Sequence, residues 1–98
     1  MAKRITQKLV REVLKGDHFR PDSPPSYLYR SAELAPGMTV VEYRHNSKQK
    51  GSYFSVRAYR GAHVPIHWDS VEMVSLKEAV AWANERVEET VRIWESEG

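Results

Sequence analysis

Three compact turn signals divide residues 35–68 into short segments and constrain the fold more than any other feature. Residues 35–38, Ala-Pro-Gly-Met, carry proline and glycine at the two central positions of a type II turn. The polar segment 45–51 ends in glycine, as hairpin loops do, and Gly-Ala at 61–62 is typical of a tight turn. The runs between these turns are rich in β-branched and aromatic residues and are predicted as strands, at 38–44, 52–60 and 63–68. The pattern predicts an antiparallel β-meander.

The segment 27–34 decides whether the meander has three strands or four. Its Tyr-Leu-Tyr start favours a strand, whereas residues 31–34 also fit a helical turn. Pro65 is compatible with the last predicted strand only at a sheet edge or a bulge.

A capping box marks the start of a long C-terminal helix. The Ser75 hydroxyl can accept from the third helical residue, and the Glu78 side chain can reach back to the cap. Seven residues then fall on one helix face, namely Leu76, Ala79, Val80, Ala83, Val87, Val91 and Trp94. Alternation along strand 52–60 groups Phe54, Val56 and Ala58, so this sheet face is predicted to lie under the helix.

The N-terminal segment predicts a first helix that is followed by a linker. Apolar residues recur every four positions over residues 3–15, and Gly16 stands where a C-terminal cap belongs. Three prolines within 17–26 disfavour helix and indicate an extended linker, so the first helix docks loosely or serves a separate function. The predicted fold class is α+β: an N-terminal helix (1–16), the linker (17–26), then a three- to four-stranded antiparallel meander with a long C-terminal helix packed on one sheet face (27–98). We expect residues 1–98 to form a single domain.

The composition excludes several classes of protein. The 98 residues include no cysteine, so disulfides, thiolate metal sites and cysteine nucleophiles are ruled out, which suits a cytoplasmic location. The longest apolar run, 79–83, is far shorter than the roughly 20 residues of a membrane-spanning helix. A signal peptide requires an apolar stretch after its basic residues, and no such stretch follows Lys3 and Arg4. We therefore expect a cytoplasmic protein with no membrane partner.

The net charge of +2 conceals an asymmetry along the chain. Residues 1–67 contain twelve Lys or Arg and five Asp or Glu, whereas residues 68–98 contain three and eight. This distribution fits an anionic partner on one side of the protein, or attraction between the two parts of the chain.

The second face of strand 52–60 carries aromatic and basic side chains. Alternation groups Tyr53, Ser55, Arg57 and Tyr59 on this face. Flat rings for stacking and cations for phosphate are one solution for binding single-stranded nucleic acid. Four further basic residues are predicted to strengthen the electrostatic attraction, namely Arg44, Lys48, Lys50 and Arg60. The expected function is that of a small accessory protein that binds nucleic acid, unless this face is ordinary solvated sheet or is covered by the first helix.

The C-terminal helix carries more apolar surface than one thin sheet requires. Trp82, Ile93 and Trp94 widen its apolar stripe, and exposed tryptophan favours protein interfaces. The alternative function is therefore a protein–protein interaction module that regulates or inhibits a larger complex. It would act as a homodimer through this helix, or dock through Tyr27 and Tyr29. A helix buried within its own monomer explains the same pattern.

No metal site or catalytic motif is predicted. His63 and His67 share a strand face, but four residues along a strand separate their imidazoles by about 13 Å. No Glu-x-x-His pattern, nucleophile elbow, P-loop or dinucleotide-binding glycine motif is present. We expect a protein that is not an enzyme and has no cofactor.

Overall fold

The computed structural model describes residues 4–22, 27–45 and 51–97, which form two helices and five strands. In chain order these are α1 (Gln7–Leu14), β1 (Arg20–Pro21), β2 (Tyr27–Ala35), β3 (Met38–His45), β4 (Tyr53–Arg60), β5 (Ile66–Val74) and α2 (Leu76–Glu97). The strands form one antiparallel sheet in the order β1-β2-β3-β4-β5. The predicted α+β meander between two helices is confirmed, with five strands instead of three or four.

β5 begins and ends later than predicted. The chain bends at residues 62–64 and Pro65 precedes the strand, because proline has no N–H to give to the sheet ladder. From Ile66 the strand continues to Val74, so the predicted strand at 63–68 was wrong in both bounds. Residues 69–74 were not predicted as part of a strand, because register shifts interrupt the regular alternation of side chains there.

The segment 27–34 and the predicted linker 17–26 both contribute strands to the sheet, namely β2 and β1. Residues 31–34 are part of β2, since Ser31 pairs with Val41 across the ladder to β3. The predicted linker contains the short strand β1, in which Arg20 pairs with Tyr29. Residues 23–26 of that linker lie outside the described residues.

Both helices pack on the same face of the sheet and share one hydrophobic core. Phe54 and Val56 belong to it and Ala58 is fully buried, as the sequence predicted. The remaining core residues are Met38 and Val40 of β3, Ala79, Ala83 and Val87 of α2, and Ile5, Val10 and Leu14 at α1. The first helix is therefore firmly packed and does not lie on the opposite sheet face.

The helix ends follow local capping chemistry. The N–H of Glu78 donates to the Ser75 hydroxyl (3.2 Å), and that hydroxyl donates to the Glu78 carboxylate (3.2 Å), which confirms the predicted cap. α1 begins at Gln7 rather than residue 3 because the Thr6 hydroxyl accepts the N–H of Leu9 at 3.0 Å. Its C-terminal cap is Lys15 instead of the predicted Gly16.

Asn84 of α2 fixes the chain where it enters α1. The N–H of Ile5 donates to Oδ1 of Asn84 (2.8 Å), and Nδ2 of Asn84 donates to the carbonyl oxygen of Ile5 (2.9 Å). Ile5 is only 2% exposed, so water is a poor substitute for either partner. One amide thus satisfies both backbone groups of a buried residue and ties α1 to α2.

Replacement of Asn84 by alanine is expected to lower the free energy of unfolding by about 2 kcal/mol, because two buried backbone groups lose their partners. Urea denaturation measures the change. Glu89→Ala, on the exposed side of the same helix, is the matched control and should stay within about 0.5 kcal/mol of the parent. Equal midpoints for the two variants would contradict the role assigned to Asn84.

Ion pairs link the basic and acidic parts of the chain. Nη2 of Arg60 lies 2.6 Å from Oε1 of Glu97, and the N–H of Gly61 donates to the other oxygen of that carboxylate. Arg57 pairs with Glu72 at 3.2 Å. Attraction between the two parts therefore accounts for some of the charge asymmetry in the sequence.

Candidate functional site

All five tyrosines of the chain lie on the sheet face opposite the helices. The register places Tyr29, Tyr43 and Tyr53 side by side on three adjacent strands. Tyr27 precedes this row on β2, and Tyr59 lies six residues beyond Tyr53 on β4. We call this surface, defined by the five tyrosines, the tyrosine face. Within residues 4–22, 27–45 and 51–97, both helices pack on the other side of the sheet.

The rings of the tyrosine face lie close together. The centroids of Tyr29 and Tyr43 are 6.4 Å apart with a 37° tilt between the ring planes. Tyr53 is the most open of the five, with 40% exposure, and the other four are half-buried. Val41 and Ser55 are buried although their side chains belong to this face. The result is an aromatic surface with at least one ring directly accessible.

Histidines extend the aromatic surface at both ends. His45 is paired with Tyr27 across β2 and β3, with ring centroids 5.0 Å apart in an edge-to-face arrangement. His67 packs in the same way against Tyr59, at 5.9 Å. At the β1 edge, the Arg20 guanidinium lies 5.1 Å from the Tyr29 ring centroid. At this edge the surface therefore combines rings with one guanidinium, which also pairs with Asp17 at 2.6 Å.

Arg57 lies at the centre of the tyrosine face, but its charge is already matched. Its Nε and Nη2 donate to the two oxygens of Glu72, at 3.2 and 3.4 Å, and Nη2 also reaches the Tyr43 hydroxyl at 3.4 Å. Partial burial raises the pKa of Glu72, but hydrogen bonds from Arg57, Ser55 and Ser70 outweigh it and hold the pKa below its usual range. The centre of the face is therefore close to neutral.

The ionisation of the Glu72 carboxylate should contribute to the pH dependence of the free energy of unfolding. The pKa of Glu72 is lower in the folded protein than its ordinary value of 4.5, so the ionised carboxylate stabilises the fold. This contribution is fully present above pH 4.5 and is lost as the pH falls through the pKa of the folded state. Glu72→Gln should therefore lose less stability than the parent between pH 6 and pH 3. Urea denaturation at both pH values measures this, with the exposed Glu88→Gln as control. Identical losses in the parent and Glu72→Gln would contradict it.

A β-bulge in β5 supports this central pair. The register shifts between Phe54 and Val56, and Met73 adopts a left-handed backbone with φ of 54°. The N–H of Met73 donates to the Ser55 hydroxyl at 3.0 Å. The extra residue lets both Val71 and Val74 turn toward the core while Glu72 stays beside Arg57. The sequence placed Ser55 on this face but gave no sign that it is buried there.

The structure brings together only some of the predicted nucleic-acid-binding residues. Tyr53, Arg57 and Tyr59 share the tyrosine face. Arg44 points to the helix side, where its guanidinium stacks 4.1 Å from the ring centroid of Phe19. Arg60 is also on the helix side, paired with Glu97. The predicted Lys48 and Lys50 lie outside the described residues.

The residues predicted as a protein interface are half-buried on α2. The Arg86 guanidinium stacks over the Trp82 ring at 4.3 Å. Trp94 packs against the turn at Gly37, where an added Cβ would approach its ring to 2.9 Å. Ile93 precedes Trp94 in the chain, and none of the three is among the exposed large apolar residues of the described chain. Packing within this chain therefore accounts for much of their apolar surface.

Metal-binding clusters and membrane-spanning helices are both absent from the described part of the chain. No cluster of three or more His, Asp or Glu side chains there is arranged to hold a metal ion. Neither described helix combines the length and the apolar character that crossing a bilayer demands. Comparisons with protein-family models, curated proteins and solved structures find no match to this chain.

Proposed function

We propose that this protein binds single-stranded nucleic acid on its tyrosine face. The observation that carries the proposal is the gathering of all five tyrosines on the sheet side away from both helices. Unpaired bases stack on aromatic side chains, with about 1–3 kcal/mol lost for each ring that is removed. An open antiparallel sheet offers such rings at spacings that successive bases can reach.

Charge supports a moderate electrostatic contribution. Arg20 lies at the β1 edge of the face and is half exposed, although it pairs with Asp17 at 2.6 Å. Lys48 and Lys50 belong to the segment that joins β3 to β4, next in sequence to the Tyr43 and Tyr53 ends of those strands. Because Arg57 is neutralised by Glu72, stacking rather than phosphate pairing dominates the expected affinity. Two or three phosphate contacts give a slope of log affinity against log salt of roughly −1.5 to −2.

Fluorescence anisotropy with labelled eight-nucleotide strands of DNA and RNA, at 50 and 200 mM salt, tests the proposal. We expect binding of the single strands, weaker binding of a duplex of equal length, and the shallow salt slope given above. A lack of binding to every single strand at 100 µM protein in the lower salt would overturn the proposal. Equal or tighter binding of the duplex would contradict the stacking mechanism.

A protein partner on the same face is the second candidate function. The neutral Arg57–Glu72 centre favours it, since tyrosine-rich surfaces with few unpaired charges are typical of protein interfaces. Self-association is the version that can be measured directly. Sedimentation velocity of the parent and of Tyr53→Ser should then show a dimer that the substitution weakens, whereas a monomer in both removes this version.

A further inference from the structure

A cleft of about 280 Å³ opens at the end of the tyrosine face farthest from the 45–51 segment. Tyr59 and Thr39 line it from the sheet, Trp94 closes it from the last turns of α2, and Pro65 contributes from the β4–β5 connection. The remaining lining residues are Gly37, Met38 and Glu33. The cleft therefore combines two aromatic rings, an aliphatic wall and one carboxylate.

Glu33 is the unusual member of this cleft. It pairs with Thr39 across β2 and β3, and Thr39 in turn pairs with Arg57, so Glu33 lies on the tyrosine face. Its side chain is exposed, and no hydrogen bond or salt bridge joins it to another described residue. Arg57, the nearest cation in this row, is already engaged by Glu72. The Glu33 carboxylate is therefore an acceptor that is open to a ligand.

An ionised carboxylate has only acceptors, so it selects ligands that present donors. Guanine presents two adjacent donors, N1–H and N2–H₂, on its Watson–Crick edge, and these match the two carboxylate oxygens. Adenine and cytosine place an acceptor beside their amino group, and thymine and uracil flank their single N–H with two carbonyl oxygens. Guanine is thus the base that can make two hydrogen bonds to Glu33 while its ring stacks beside Tyr59.

We infer that this cleft binds an unpaired guanine, with Glu33 accepting from N1–H and N2–H₂. The inference rests on the proposed function and adds base preference to it. Bidentate recognition of one base edge corresponds to a preference of roughly tenfold over the other bases.

The test uses seven-nucleotide strands of thymidine in which the central base is guanine, hypoxanthine, adenine or thymine. Hypoxanthine keeps N1–H and lacks the 2-amino group. We expect guanine to bind about tenfold more tightly than thymine, with hypoxanthine in between. In Glu33→Gln this ratio should fall to about one, whereas Glu89→Gln on the exposed side of α2 should preserve it.

The outcomes separate the inference from the proposed function. Binding of all strands with equal affinity, or a guanine preference that survives in Glu33→Gln, would overturn the guanine site and leave the proposed function standing. A substitution that acts only by removing negative charge would change all affinities alike and leave the ratio intact, which also overturns the site. A lack of binding to every strand overturns both.

Discussion

Replacing Tyr43 and Tyr53 together by leucine is expected to weaken the binding of an eight-nucleotide single strand by at least about 30-fold. Each lost ring removes about 1–3 kcal/mol of base stacking, and the two rings are neighbours on β3 and β4. Leucine keeps an apolar side chain on the face that holds the buried Val41 and Ser55, so the fold should persist. Anisotropy titration at 50 mM salt measures the affinity, and thermal unfolding confirms that the variant is folded.

The matched control replaces the same two residues by phenylalanine. This pair keeps both rings and loses only the hydroxyl groups, including the Tyr43 hydroxyl that accepts from Arg57. We expect its affinity to remain within about threefold of the parent, because stacking depends on the ring face. Equal affinities for the leucine and phenylalanine pairs would show that the rings do not carry the binding.

Gly37→Ala is expected to lower the free energy of unfolding by about 3 kcal/mol. Gly37 has φ of +81°, which costs an L-residue roughly 1–2 kcal/mol. In addition, a Cβ there would meet the Trp94 ring at 2.9 Å and the carbonyl oxygen of Tyr59 at 3.0 Å. Crowding of this kind adds about 1–3 kcal/mol. Chemical denaturation of the folded variant measures the sum.

Gly51→Ala separates the two contributions. Gly51 has φ of +89°, but an added Cβ would find no heavy atom within 4 Å. It should therefore show only the backbone cost, about 1–2 kcal/mol. The excess in Gly37→Ala then measures the close packing of Trp94 on the β2–β3 turn. Equal destabilisation in the two variants would mean that the Trp94 ring moves away from the added Cβ with no loss of stability.

The parts of the fold that could be predicted are governed by local chemistry. The Pro-Gly pair at 36–37 determines its own turn, and the Ser75 hydroxyl caps α2 whatever surrounds it. Alternation along β4 correctly assigned Phe54 and Val56 to the helix side, because that strand is regular over the segment. Each of these features depends on residues close in sequence.

The composition of the tyrosine face could not be predicted in the same way, because it depends on a bulge. Next to the turn, Ala35 pairs with Met38, but beyond the irregularity Glu33 pairs with Thr39. Without this shift of one residue, Tyr29 would pair with Arg44 and face the helices. The bulge therefore places Tyr27 and Tyr29 on the same sheet face as Tyr43, and the turn sequence does not predict this bulge.

The electrostatics of the site also depended on tertiary contacts. Arg57 was expected to offer a free cation, but a bulge in β5 brings Glu72 to it. Arg44 was expected to strengthen binding, but it stacks on Phe19, which precedes β1. The position of α1 was open for the same reason, since the contact between Asn84 and Ile5 spans 79 positions of the chain.

The most direct test of the central claim is NMR mapping of a titration with an eight-nucleotide single strand. Ring proton signals of Tyr29, Tyr43, Tyr53 and Tyr59 should shift together and saturate with the bound strand. Amide signals of α2 residues that point away from the sheet, such as Ala81 and Glu85, should remain in place. Shifts confined to the helix side, with the tyrosine rings unchanged at saturation, would contradict binding on the tyrosine face.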